Sequence, residues 1–116
     1  MVVKRKYVPE RGHIIWLDFN PQAGHEQAGH RPALVISQKI YNEKVGLVLV
    51  CPITSKVKNY PFAVNLPPKE GGGCVLVDQI KSVDWRIRQT RHKSKATKKV
   101  MEEVLGKLGA LIFDDG

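Results

Sequence analysis

The feature that most constrains the fold is an unbroken apolar run at residues 45–51, VGLVLVC. A strand with one wet face alternates polar and apolar residues, whereas a continuous run predicts a strand that is covered on both faces. We therefore expect residues 45–51 to be the central strand of a sheet. Pro52 follows directly, and because proline lacks a backbone donor it predicts that the strand ends or kinks there, with a loop over residues 53–56.

Shorter segments on either side of this run are rich in β-forming residues and are bounded by turn signals. The other expected strands are residues 12–19, 33–37, 62–66, 74–77 and 78–86. The polar residues 41–44 predict a turn that leads into the central strand.

From Ala96 the apolar period changes to that of a helix, with Thr97 as the expected N-cap. The expected apolar stripe comprises Val100, Val104, Leu105, Leu108, Leu111 and Ile112. Five or six short strands followed by one helix predict a mainly β chain, a small and partly open β-barrel with a C-terminal helix. At this length we expect a single domain over residues 1–116.

The net charge of +8 and the pI near 9.7 indicate an anionic partner, which could be a nucleic acid, an acidic protein segment or a membrane surface. Between Lys81 and Lys99 eight cations face the single acid Asp84. That segment could follow a phosphate backbone together with Lys56 and Lys58, or it could be a solvated basic loop. Tyr60 and Trp85 could stack on bases, with packing in a core or a dimer as the alternative for Trp85.

The sequence lacks the signals of several other classes. Its longest apolar run is far below the ~20 residues that cross a bilayer, and the basic start at residues 1–6 precedes no signal-type apolar segment. We therefore expect a soluble, cytoplasmic protein. No CxxC or HExxH spacing suggests a metal, so no cofactor is expected. Cys51 and Cys74 lie in apolar runs and are expected to be buried, reduced thiols.

A polar segment at residues 24–32, GHEQAGHRP, runs straight into the apolar residues 33–36. It offers one carboxylate, two imidazoles and one guanidinium. Such a cluster at the mouth of a strand is a plausible place for chemistry on a charged substrate, because a rigid sheet can hold loop side chains in place. The alternative is a solvated hairpin loop.

These motifs together resemble a known family. GHIIWLDFNP at residues 12–21, followed by GHEQAGHRPA at residues 24–33, is similar to the N-terminal signature of the MazF/PemK toxins, the ribonucleases of bacterial toxin–antitoxin pairs. The similarity continues through residues 51–55, 60–62, 77–82 and 84–86. The resemblance implies an SH3-like barrel, a homodimer and metal-independent cleavage of single-stranded RNA at short sequences. It also implies inhibition by a cognate antitoxin whose acidic tail occupies the RNA groove.

Residue by residue, the resemblance assigns the family's catalytic arginine to Arg31 and its active-site threonine to Thr54. Glu26 matches a glutamate implicated in the MazF branch and Asp78 an aspartate implicated as a base in the Kid branch, and the choice between them stays open. His30 could act as an acid or read a base, or it could form a hydrogen bond that orients Arg31. The expected RNA-binding residues are His30, Gln27, Ser55, Lys56, Lys58, Gln79, Lys81 and Arg86.

Metal-free RNA cleavage uses the substrate's own 2′-hydroxyl as the nucleophile and leaves 2′,3′-cyclic phosphate and 5′-hydroxyl ends. The protein must remove one proton, deliver another and neutralise the extra charge on phosphorus. The planar fork of Arg31 suits the third task, and Thr54 can donate to a phosphate oxygen. Two other functions remain open at this point, a gyrase poison of the related CcdB type and a non-catalytic basic RNA-binding module.

Overall fold

The predicted central strand is present but shifted along the chain: it begins at Leu47, because Val45 and Gly46 end a helix, and it continues to Thr54. The structure, a computed structural model, describes residues 7–19 and 29–113. Its strands and helices, in chain order, are β1 (His13–Asp18), β2 (His30–Val35), α1 (Lys39–Val45), β3 (Leu47–Thr54), β4 (Ala63–Asn65), β5 (Cys74–Leu76), β6 (Lys81–Asp84), β7 (Arg91–Lys95) and α2 (Lys98–Ile112). Two 3₁₀ turns lie at Pro68–Glu70 and Val77–Gln79.

All the strand pairs are antiparallel, and the sheet runs in the order β4-β5-β3-β2-β1-β7, with β6 also paired to β3. β3 is therefore central, as predicted. β4 and β7 form the two ends of this order, so hydrogen bonding does not close the described strands into a complete barrel. The predicted mainly β class with a C-terminal helix is confirmed.

The predicted end of β3 at Pro52 is wrong. Pro52 pairs with Ala33 of β2, and the strand continues through Ile53 and Thr54, which pair with β5. A proline cannot donate to a ladder, but here the missing donor falls where β3 changes partner. The strand can therefore pass through Pro52, and β2 and β3 part at this point.

β3 is covered on both faces only from Val50 onward, since Leu47 is half-buried and Leu49 is 37% exposed, so the prediction from the apolar run is confirmed only for the end of that run. Cys51 and Ile53 pack in a cluster with Val100, Val104 and Leu108 of α2. On the opposite face a second cluster forms, comprising Ile15, Leu17, Phe19, Ala33, Val35, Val48, Val50, Val83 and Trp85.

Trp85 belongs to the core and is not available for stacking on a base. It is only 8% exposed, and its indole Nε1 donates to the carbonyl of Asn42 over 2.8 Å. Of the two roles considered for Trp85, packing is confirmed.

A helix, α1, occupies the place where residues 41–44 predict a turn, so that prediction is wrong. The reason is one buried polar side chain: Asn42 accepts from Ser37 Oγ at 2.5 Å and donates to the carbonyl of Pro9 at 2.8 Å. The apolar residues of α1 point outward, with Ile40 61% and Val45 50% exposed. Because no apolar stripe faces the core, the helical period is invisible in the sequence.

Three further segments differ from the prediction. The strand expected over residues 33–37 is His30–Val35, so His30 and Arg31 lie in β2 and not in the polar segment before it. The expected strand over residues 78–86 is shorter, because a 3₁₀ turn at Val77–Gln79 precedes β6. The basic segment that could have been a solvated loop includes β7, which pairs with β1. β7 exposes most of its side chains, and this is why it lacks the apolar alternation of a strand.

α2 begins as predicted, since Thr97 Oγ1 accepts from the backbone N–H of Val100 at 3.3 Å. Its buried face is narrower than the predicted stripe. Leu105, Leu111 and Ile112 are 37%, 44% and 64% exposed, so their assignment to the core is wrong. The last buried residue of α2 is Leu108, which means that its final turn does not contact the sheet.

Cys51 and Cys74 are free and buried, as predicted. Burial raises the pKa of the Cys51 thiol to about 12, and the nearby charge of Asp78 adds to the increase. Because the thiolate is the reactive form, Cys51 does not serve as a nucleophile. No helix among the described residues is long and apolar enough to cross a membrane.

Candidate active site

A pocket of about 220 Å³ opens where β2 and β3 part. Its lining comes from β1, β2, β3 and β7 and from the glycine-rich turn before β5. The residues are Ile14, Trp16, Arg31, Pro32, Ile53, Thr54, Ser55, Leu66, Glu70, Gly71, Gly72 and Lys93. This pocket brings together Arg31, Thr54 and Ser55, three of the residues that the sequence analysis selected.

Arg31 and Thr54 meet because of the strand register. Ala33 pairs with Pro52, so continuing the same register by two residues would place Arg31 opposite Thr54. Thr54 instead pairs with Cys74 of β5, and the gap that this opens between β2 and β3 is the pocket. Arg31 is exposed, whereas Thr54 is only 6% exposed.

Two contacts, with the backbone of Lys56 and with Gly73, hold Thr54 in place. Its hydroxyl oxygen accepts from the backbone N–H of Lys56 at 3.3 Å, which leaves the hydroxyl proton available for a ligand. Gly73 packs directly against the carbonyl of Thr54, and a Cβ at position 73 would lie 2.0 Å from that oxygen. Gly73 also has φ +72°, so only glycine suits both the backbone and the space.

Trp16 and His30 form an aromatic pair at the edge of the pocket. Their rings are parallel within 9°, with centroids 5.6 Å apart. The Nε2 of His30 lies 3.5 Å from Nη2 of Arg91, so the contacts found for its ring are with Trp16 and Arg91.

Asp78, one of the two candidate bases, is not among the residues that line this pocket. It lies in the 3₁₀ turn after β5 and accepts a hydrogen bond from the hydroxyl of Tyr60. That hydrogen bond raises the pKa of Tyr60.

The other candidate base, Glu26, lies outside the described residues, as does Gln27. The described chain stops at Phe19 and resumes at Gly29, and the Phe19 N–H donates to the Gly29 carbonyl at 2.8 Å. The two ends of the undescribed segment are thus fixed beside Trp16 and His30.

The remaining expected RNA-binding residues are spread over the surface. Lys56 and Lys58 are exposed in the loop after β3. The Nζ of Lys81 lies 5.4 Å from the ring centroid of Phe19. Gln79 is half-buried, and its Oε1 lacks a hydrogen-bond partner among the described residues.

Arg86 is separate from the pocket. Its Nη2 donates to the carbonyl of Glu43 at 2.9 Å, next to the end of α1, and its guanidinium lies 5.4 Å from the ring centroid of Trp85. The structure therefore does not bring Arg86 together with Arg31 and Thr54.

Trp16 and Glu70 line the pocket and were missed by sequence reasoning, whereas Lys93 was considered only as one of the eight cations that could follow a phosphate backbone. Oε1 of Glu70 accepts from the backbone N–H of Thr97 at 2.9 Å, which ties the turn to the start of α2. A signal was available only for Trp16, since alternation in β1 places it on the same face as Ile14. In residues 7–19 and 29–113 no three His, Cys, Asp or Glu side chains come together as metal ligands.

Comparison with known proteins gives a consistent result. The family model of PemK-like, MazF-like toxins of type II toxin–antitoxin systems matches residues 10–112. The endoribonuclease toxin MazF of Escherichia coli K12 is 44% identical over 107 residues, covering 92% of this chain and 96% of the relative. The endoribonuclease toxin ChpB of the same strain is 39% identical over 118 residues and covers 97% and 99% of the two chains.

Solved structures agree with the sequence comparisons. The crystal structure of MazF from Deinococcus radiodurans superposes with a TM-score of 0.88 at 52% identity, over 92% of this chain and 98% of that chain. A MazE–MazF structure from the same organism gives a TM-score of 0.83 at 52% identity, over 92% and 97% of the two chains.

Proposed function

The chain belongs to the PemK-like, MazF-like toxin family of type II toxin–antitoxin systems, and we propose that it is an endoribonuclease toxin that cuts single-stranded RNA at a short sequence without a metal ion. The observation that carries the proposal is the meeting of Arg31 and Thr54 in one pocket. Arg31 supplies a guanidinium group and Thr54 supplies a hydroxyl group. Both groups can stabilise the negative charge that develops on a phosphate during the reaction. The relatives described above are named endoribonucleases, which favours this function over gyrase poisoning.

In the proposed reaction the 2′-oxygen of one nucleotide attacks the adjacent phosphorus, and the bond from phosphorus to the 5′-oxygen of the next nucleotide breaks. The 2′-hydroxyl proton passes to a general base, and the leaving 5′-oxygen receives a proton. The products carry a 2′,3′-cyclic phosphate and a 5′-hydroxyl. The transition state at phosphorus carries more negative charge than the substrate. Groups that bind this additional charge therefore accelerate the reaction.

Arg31 stabilises this charge. A guanidinium pairs with two phosphate oxygens at once and keeps its proton at neutral pH, so its role is electrostatic rather than acidic. The Thr54 hydroxyl donates to a non-bridging oxygen, because the Lys56 N–H already occupies one of its acceptor positions. Losing one preorganised donor of this kind typically raises a barrier by about 3 kcal/mol.

For the general base we favour Glu26 over Asp78. Asp78 already accepts from Tyr60 and is not among the pocket residues. Glu26 precedes His30 by four residues, and the chain on either side of its segment is fixed at Phe19 and Gly29. Glu26→Gln should therefore reduce cleavage far more than Asp78→Asn.

The proposal extends to the partners. The net charge of +8 suits both RNA and an acidic antitoxin tail, and a relative's structure contains MazE together with MazF. We propose that the chain, a single domain over residues 1–116, acts as a homodimer in the bacterial cytoplasm. Exposed apolar residues at the end of α2, Leu111, Ile112 and Phe113, support an association of this kind. Sedimentation of a species twice the 13.0 kDa chain mass would agree with it.

The proposal also covers RNA contacts. Ser55 lines the pocket beside Thr54, and the exposed Lys56 and Lys58 follow directly, which suits phosphate binding. The other proposed contacts are His30, Gln27, Gln79, Lys81 and Arg86. Arg86 would bind RNA only at a distance from the pocket, because Glu43 and Trp85 hold its side chain.

The test is to incubate the purified protein with a long single-stranded RNA in EDTA and to map the ends. We expect cuts at a short motif with cyclic phosphate and 5′-hydroxyl ends. Arg31→Ala should abolish cleavage, and Thr54→Val should reduce it by about 100-fold, since it keeps the shape but loses the donor. Lys39→Ala, an exposed change on α1, serves as the control and should cleave normally.

Two outcomes would contradict the proposal. Intact RNA together with stalled gyrase would favour a CcdB-like poison. Undiminished cleavage by a folded Arg31→Ala protein would mean that the chemistry lies elsewhere.

A further inference from the structure

Trp16 is an aromatic side chain that lines the pocket and belongs to neither of the two hydrophobic clusters. It is only half-buried, unlike Trp85, and lies on the pocket face of β1. Its neighbour His30 is exposed and parallel to it within 9°. Two parallel, stacked rings, one of them exposed to solvent, leave an apolar ring face on which a further ring can stack.

Cations frame this surface because of an irregularity in β7. The register pairs Ile14 with Ser94 and Ile15 with His92, so Lys93 is an extra residue in the strand. A bulge of this kind redirects a side chain. Here the Nζ of Lys93 lies 5.8 Å from the ring centroid of Trp16.

A second cation completes the arrangement. Arg91 pairs with Trp16 in the register, and its Nη2 lies 3.5 Å from Nε2 of His30. A ring surface flanked by two cations is suited to binding a nucleotide, because the base can stack on the ring while the phosphates bind the cations. A solvent-facing strand of an ordinary sheet requires neither such a ring surface nor the flanking cations.

We propose that Trp16 and His30 form a stacking platform for one unpaired nucleobase of the RNA. Lys93 and Arg91 bind the phosphates on either side of this base. The platform therefore holds the nucleotide next to the cleaved linkage. Trp16 and Lys93 line the same pocket as Arg31 and Thr54, which places the stacked base beside the reacting phosphate. The inference rests on the proposed endoribonuclease function and deepens it. Because every base has a stacking face, the platform anchors RNA without choosing its sequence.

The test uses a short RNA that carries the mapped cut site, with a 2′-deoxy nucleotide at the cleaved position so that it binds but does not react. In a series of such RNAs each base in turn is removed to leave an abasic sugar. Dissociation constants are measured for the wild type, for Trp16→Leu and for a control, Tyr41→Leu. Tyr41 is 41% exposed on α1 and does not line this pocket.

For the wild type we expect one abasic position beside the cut site to weaken binding by about tenfold, a usual value for loss of one stacked base. In Trp16→Leu the intact RNA should already bind about tenfold more weakly, and removing that base should cause no further loss. Tyr41→Leu should reproduce the wild-type series.

A fluorescence measurement covers the case in which Trp16→Leu does not fold. The chain has two tryptophans, and Trp85 is enclosed. Wild-type fluorescence should therefore be quenched by the intact RNA and less so by the RNA lacking the stacked base. Trp16→Phe, which retains a ring, should bind the RNA with little quenching.

The outcomes separate the two proposals. If the wild type neither cleaves nor binds RNA, the proposed function fails. If it cleaves RNA but the abasic losses are the same in wild type and Trp16→Leu, the platform is overturned and the function stands. A uniform loss of affinity at every position would likewise mean that Trp16 only supports the fold.

Discussion

At the scale of single residues, the position of Thr54 depends on Gly73. Gly72 and Gly73 both have positive φ, +68° and +72°, so an alanine at either position is strained. They differ in space: a Cβ at 72 meets nothing within 4 Å, whereas a Cβ at 73 would meet the Thr54 carbonyl. The two glycines form a matched pair that separates backbone strain from displacement of the active site.

We predict that Gly72→Ala lowers the free energy of unfolding by about 1 kcal/mol. Although Gly72 also lines the pocket, this variant should reduce RNA cleavage much less than Gly73→Ala does, because its Cβ would displace no atom. Gly73→Ala should destabilise the protein more and reduce cleavage by about 100-fold, because Thr54 must move. Urea unfolding and single-turnover cleavage measure the two effects. Equal cleavage by the two variants would show that Thr54 does not need its present position.

His13 gives a prediction about pH. Its Nδ1 shares a hydrogen bond with the Tyr7 hydroxyl at 2.7 Å, and burial together with the charge of His92 lowers its pKa. The unfolded chain therefore binds a proton at His13 at higher pH than the folded chain does. Stability is present above the ordinary pKa near 6.5 and is lost as the pH falls through the lowered folded value.

We expect the free energy of unfolding to decrease as the pH is lowered from about 7 to 5, and to decrease less in His13→Gln. Urea unfolding over this range measures the difference between the two proteins, in which the contributions of the carboxylates other than Glu10, which lies 3.3 Å from His13, cancel. Parallel curves for wild type and variant would contradict the prediction.

The sequence indicated which residues have the chemistry to act on a phosphate, but it indicated only in part which residues contact one another. Arg31 and Thr54 could be selected because their chemistry suits a phosphate and because they match a family motif. Lys93 could be chosen only as part of the basic segment, since its place over Trp16 depends on one extra residue in β7. A bulge leaves no mark in the sequence, because an exposed edge strand has no apolar alternation to interrupt.

At the scale of elements, α2 is fixed at its start. Thr97 caps the helix with its hydroxyl, while its backbone N–H binds Glu70. We predict that Thr97→Ala lowers the free energy of unfolding by about 1 kcal/mol, and that Thr97→Ser restores most of it. The bond to Glu70 involves only the backbone and is retained in both, so thermal or urea unfolding reports the cap alone. An unchanged Thr97→Ala stability would mean that the cap contributes nothing.

Elements whose own periodicity faces the core were predicted well. The start of α2 is confirmed, and so is the burial of β3 from Val50 onward. α1 was missed because it is held by Asn42 and not by an apolar stripe. The continuation of β3 through Pro52 was missed because it depends on β5, a partner far along the chain.

At the scale of the whole molecule, charge governs affinity for RNA. With a net charge of +8, binding should weaken steeply as salt rises. A plot of log affinity against log salt falls by about 0.7 for each phosphate contact on single-stranded RNA. Lys93→Gln should therefore reduce the slope by about 0.7, and the exposed change Lys39→Gln on α1 should leave it unchanged. Identical slopes for all three proteins would remove Lys93 from the RNA path.

The sheet order lies beyond single-sequence reasoning. Segments with strand character could be found, but nothing local specifies that β3 pairs with β2 on one side, with β6 on the other and with β5 at its end. The pocket exists only through that exchange of partners. Fold class was therefore predictable, and the geometry that joins Arg31 to Thr54 was not.

The hydrogen bond between Phe19 and Gly29 joins the described chain on either side of residues 20–28, the segment that carries Glu26. Because these two ends are already held, doubling the number of residues between them should cost only about 0.6 kcal/mol of closure entropy. Changes of length in this segment should therefore cost little stability and leave the stacking platform and Arg31 in place, whereas cleavage should survive only those changes that keep Glu26 in position.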